Sequence, residues 1–126
     1  MIVGHPALAA LAFLVALTAA SEAQVPAYKQ IEFPVVRDLA EGEWIETSGH
    51  LRMERDGDVF ISVDEPSAQG SWIDISKIAA DTVTRLKAEC RALGGLRGCP
   101  AIVRGQIGIF NNHKEIIASE IQIAPR

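Results

Sequence analysis

Cys90 and Cys99 are the only two cysteines of the chain, and their spacing limits the chemistry they can do. A zinc site wants more thiolate or imidazole ligands at short spacing, and C-x8-C with no companion His or Cys cluster does not supply them. A thioredoxin-like pair wants C-x-x-C with a helix N-terminus to hold the thiolate. Here Cys90 lies towards the C-terminal end of an amphipathic segment, where the helix dipole opposes negative charge. A structural disulfide between Cys90 and Cys99 is the expectation, with two free thiols and a redox pair as the alternatives. Closing a loop of about ten residues contributes roughly 2.5–3 kcal/mol in the chain-entropy model.

The other reactive side chains point away from catalysis. His50 falls on the outward side of a strand pattern and His113 in a turn, and no Ser or Cys nucleophile signature accompanies either. Asp56, Asp58, Asp64 and Glu65 gather around one hairpin, but their spacing does not match a calcium-binding EF-hand loop. Acidic hairpin turns are ordinarily solvated. No enzymatic activity, metal or other cofactor is therefore expected.

The elements that position these residues are read from periodicity. The run "ALAALAFLVAL" (7–17) is too short to span a bilayer. The small residues of "TAASEA" follow it, so residues 1–23 are expected to be a signal peptide, cleaved after Ala23 or Ala20. The n-region "MIVGHP" departs from the usual pattern in having no Lys or Arg. Export to the periplasm or the medium follows, a compartment in which a disulfide persists. No later stretch is long enough to cross a membrane.

Removing that segment leaves all 12 basic residues and one fewer than the 16 acidic ones, because Glu22 leaves with it. A mildly acidic chain lacks the electrostatic footprint of a nucleic-acid binder, although a local basic groove is compatible with it.

Residues 24–43 contain Pro26 and Pro34 and alternate only weakly, which predicts an extended arm that can pack along the domain. From Trp44 the period becomes two. "WIETSGHLRM" places Ile45, Thr47, Gly49, Leu51 and Met53 on one face, and "RDGD" supplies a hairpin turn. "VFISVDE" follows, with Val59, Ile61 and Val63 inward and Phe60 and Ser62 outward. "WIDIS" is a third strand, with Ile73 and Ile75 opposite Trp72 and Asp74. In "KIAADTVTRLKAECRALGG" the apolar residues Ala79, Val83, Leu86, Cys90 and Leu93 recur at helical spacing, and Gly94-Gly95 is the expected stop. "CPAIVRGQIGIF" and "EIIASEIQI" are the last two strands, joined by "NNHK". In the last strand Ile117, Ser119, Ile121 and Ile123 oppose Ile116, Ala118 and Glu120.

The order β-β-β-α-β-β, with Gly49 and Gly105 in mid-strand, resembles the OB-fold, a five-stranded Greek-key barrel with one plugging helix. The rhythm "GHLRMERDGDVFISV…IVRGQIGIF" is similar to that of small exported bacterial OB-fold proteins. The expected domain is 44–126. The resemblance implies a ligand face across the second and third predicted strands, carrying Phe60, Ser62, Trp72 and Asp74. Arg52 and Arg55 lie at one edge, and Asn111, Asn112, His113 and Lys114 form a flanking loop. Arg97 and Arg104 could extend a basic edge. The expectation is a non-enzymatic binding or accessory module for a protein, glycan or other extended ligand. A single-stranded nucleic-acid binder is the alternative, and a thiol redox protein the remoter one.

Overall fold

A computed structural model describes residues 26–54, 56–63, 69–91 and 98–124. The expected signal peptide (1–23), Arg55, Asp64, Glu65 and Arg97 lie outside the described residues. Six strands and one helix follow in the order β1 (Lys29–Gln30), β2 (Trp44–Met53), β3 (Val59–Ser62), β4 (Gly70–Asp74), α1 (Ala80–Glu89), β5 (Cys99–Phe110) and β6 (His113–Ile123). The sheet runs β1-β2-β3-β4-β6-β5, and β5 returns to pair with β2. Strands β2 to β6 thereby close a five-stranded barrel, and β1 pairs in parallel with β2 beside it. A closed barrel with one helix fits the expected OB-like architecture. None of the described helical residues forms a segment long and apolar enough to cross a membrane.

Strand β2 is the hub, because it pairs antiparallel with both β3 and β5. Its inward residues Ile45, Thr47, Leu51 and Met53 are all buried, as the alternation requires. Gly49 lies where the neighbouring strand comes closest: a Cβ there would sit 2.4 Å from the Ser62 carbonyl oxygen. The β5–β6 ladder shifts register at Arg104/Gly105, and a Cβ on Gly105 would meet the Ile117 carbonyl oxygen at 2.3 Å. Both mid-strand glycines therefore mark backbone approaches that no side chain fits. The turns also follow local chemistry. Asn111 and Asn112 both take positive φ, which makes the β5–β6 connection a two-residue hairpin of the mirror-image turn type.

The structure departs from the sequence reading in four places. First, the arm packs along the domain, with Pro34 and Val36 buried, but it also contributes a strand that was not expected, Lys29–Gln30. Second, α1 ends at Glu89, well before Gly94-Gly95. The Cys90 carbonyl is taken by the Met53 amide at 2.8 Å and Arg91 bridges to Met53, so strand-like pairing takes over at Cys90 and Arg91; Gly94 and Gly95 lie outside the described residues. Third, the core face of β6 is Ile116, Ala118 and Ile121, which mixes the two alternating faces read from sequence. The bulge opposite Arg104/Gly105 skips Ser119, and one extra residue moves every side chain beyond it to the other face. Fourth, β3 is buried along its whole length, Phe60 and Ser62 included.

The core gathers residues from every barrel strand, with Leu86 of α1 and the cysteine pair. Cys90 and Cys99 form the expected disulfide, with Cα atoms 5.2 Å apart. It ties the end of α1 to the first residue of β5.

Candidate functional site

Cross-strand register builds the expected face. Arg52 on β2, Phe60 on β3 and Trp72 on β4 are direct neighbours across the sheet. The Arg52 guanidinium lies over the Phe60 ring, 4.8 Å from its centre, and is held from the other side by Glu54 at 2.8 Å. The Trp72 ring meets Phe60 edge-on at 4.9 Å. Phe60 is thus a buried pedestal, and Trp72, 47% exposed, is the most open member of the stack. Ser62 is fully buried, and its hydroxyl donates to the His50 carbonyl. Phe60 and Ser62 were expected to face a ligand. The overlying Arg52 and Trp72 cover the first, and close packing against β2 covers the second.

The remaining candidates converge at one end of β4. A groove of about 660 Å³ is lined by Trp72, Asp74 and Ile75, by Gly57 and Asp58 of the β2–β3 turn, and by Phe110, His113, Lys114 and Glu115 around the β5–β6 turn. Trp72, Asp74, His113 and Lys114 are therefore brought together, whereas Arg52 is not part of the groove's lining. Phe110, Asp58 and Glu115 were not singled out from sequence as part of this site. Phe110 carried a signal, since an aromatic on the outward side next to an Asn-Asn turn has nowhere to pack. It is 64% exposed.

The electrostatics of the groove are acidic. Burial, and then the neighbouring Asp74 carboxylate, raise the Glu115 pKa above the ordinary glutamate value. Asp58 is raised as well, mainly by the adjacent Asp56 charge. Lys114 adds one positive charge to the same lining, its ammonium donating to the Leu39 carbonyl of the arm, so the three carboxylates remain in excess. For Glu115 the sign of the linkage is that of an acid whose native pKa lies above its unfolded one. The native state is penalised wherever the group is ionised, and the penalty fades as pH falls through the raised value. Glu115→Gln is therefore expected to stabilise the protein slightly at neutral pH, within about 0.5 kcal/mol for so solvent-screened a group. Thermal melts of both proteins should converge in acid; a lower melting temperature for the variant at neutral pH would contradict this account.

Arg104 does not form a basic edge. Its guanidinium meets Glu46 at 2.6 Å and Glu120 at 3.2 Å, and it lies 5.5 Å from the centre of the Tyr28 ring. The hydrogen bond to Glu46 raises the Arg104 pKa, and Glu120 is lowered first by the Gln122 amide and then by Arg104. This network joins β2, β5 and β6 and leaves that arginine committed. A second groove, of about 520 Å³, is bordered by Phe33, Pro34, His50, Pro100 and Ile102. Among the described residues, no cluster of three or more His, Cys, Asp or Glu side chains could hold a metal ion.

No protein-family model matches the chain, and no curated protein matches it either. Among solved structures, an OBody, AM1L10, bound to hen egg-white lysozyme is similar, with a TM-score of 0.53 at 19% identity. The alignment covers 81% of this chain and 100% of that one. At this identity the likeness carries the fold alone, and it is compatible with an OB-like barrel.

Proposed function

We propose that the chain is an exported, non-enzymatic binding or accessory module that holds a protein, glycan or other extended ligand in the groove beside β4. The observation that carries this reading is the Trp72 ring. It stands half-exposed on a buried Phe60 pedestal, at the wall of a groove that also gathers Phe110 and the β5–β6 turn. A large aromatic held rigidly at the rim of a concave surface loses little entropy on binding and presents a flat apolar face to sugar rings or side chains. In an OB-like barrel this is the side formed by the middle strands and the two hairpin loops, where ligands of that fold are held. The acidic residues of the lining weigh against a nucleic-acid ligand, whose phosphates they would repel.

Export is supported by the apolar run at 7–17 followed by small residues, and by the disulfide, which oxidising compartments maintain. The test is recovery of partners from periplasmic extract by the immobilised protein and by its Trp72→Ala variant. Partners captured by the wild type should be lost or strongly depleted with the variant. Equal recovery would remove the groove from consideration.

A further inference from the structure

The groove beside β4 combines two chemistries that one ligand must satisfy together. Its apolar part is Trp72, Ile75 and Phe110, and its charged part sets three carboxylates, Asp58, Asp74 and Glu115, against one ammonium, Lys114. Among the described residues no Lys or Arg forms an ion pair with any of the three. Lys114, the one lysine of the lining, is turned to the Leu39 carbonyl.

We infer that the occupant of this groove is a basic peptide segment of another protein, an extended stretch in which Lys or Arg side chains alternate with apolar ones. The inference rests on the binding-face reading above and names the class of ligand. A cation placed between Asp74 and Glu115 relieves the repulsion that the two carboxylates exert on each other in the empty groove. Arginine gains further, because its planar guanidinium stacks on an exposed indole or phenyl face while its N–H groups fork onto a carboxylate. A simple polyamine offers the charge without bulky groups for Trp72 and Phe110, and a polyanion meets charge of its own sign.

The test is a titration of the isotope-labelled protein with two capped hexapeptides, one alternating arginine and leucine and the other glutamate and leucine. The arginine peptide should shift the Trp72 indole N–H signal and the Glu115 amide, with the Trp44 indole signal unmoved as an internal control. Asp74→Asn and Glu115→Gln should each weaken it by about two- to fivefold, the range expected of one exposed charge pair. Added salt should weaken it further. If the glutamate peptide or a thymidine oligonucleotide moves Trp72 as strongly, or if the charge variants bind unchanged, the basic-peptide inference falls while the groove stands. If no probe of either sign moves Trp72, the inference falls; equal partner recovery with Trp72→Ala in the separate capture experiment would then remove the groove as well.

Discussion

Replacing both cysteines by alanine, or reducing them, should lower the stability of this protein by about 2–5 kcal/mol. That is a large part of the roughly 5–15 kcal/mol typical of a domain. Loop closure in the unfolded chain accounts for about half or more of the loss. The rest is local, because Cys90 joins three elements. Its amide donates to the Leu86 carbonyl at 2.9 Å, its own carbonyl accepts from Met53 at 2.8 Å, and its sulfur reaches β5. Both cysteines are buried, at 0% and 1% exposure, so a reductant should reach the bond only when the domain opens. Denaturant titrations with and without reductant measure the loss, and alkylation of the denatured, unreduced protein should label neither residue. Labelling of both would show that the bond does not form in the protein as made. Retained thiol-disulfide turnover, abolished by the same substitutions, would revive the redox alternative.

Leu86→Ala should be comparably damaging, at about 2–5 kcal/mol. Leu86 is the only buried side chain of α1, and the helix has ten residues. Helices that short are marginal alone in water, and α1 has no side-chain hydrogen bond at its N-cap. Its existence therefore depends on one leucine in the barrel core and the disulfide at its far end. The neighbouring exposed Lys87→Ala is the control and should change stability by no more than about 0.5 kcal/mol. Loss of helical circular dichroism together with a lower unfolding midpoint is the expected signature for Leu86→Ala. Equal midpoints for the two variants would mean that the helix is held by something other than this contact.

The sequence was most readable where one periodicity acted alone. The inward face of β2 follows from strict alternation between Ile45 and Met53, and β5 begins and ends where its pattern does. The disulfide was legible because only two cysteines exist, and their spacing argued against the other uses. Legibility failed where tertiary contacts overrode a local pattern. Helical spacing runs past Cys90, but the pairing of Cys90 and Arg91 with Met53 takes the backbone hydrogen bonds that a longer helix would need. Alternation in "EIIASEIQI" is broken by a bulge that faces Arg104 and Gly105 on another strand. In β3, alternate residues do point to opposite faces, but both faces are covered, and no period reports that. The candidate site was half legible: Trp72, Asp74, His113 and Lys114 were found from topology. Asp58, Phe110 and Glu115 join them only through the closure of the barrel.

That closure is thin. β4 and β6 meet through two residue pairs, Ile73 with Ile116 and Asp74 with Ile117, whereas β5 and β6 are zipped along most of their length. The barrel is therefore a continuous ribbon fastened by a short clasp. Trp72 and Asp74 stand on one side of it, His113 and Glu115 on the other. Under the proposed reading, a ligand seated there would span the clasp and hold its halves together, so that occupancy and resistance to opening become one quantity.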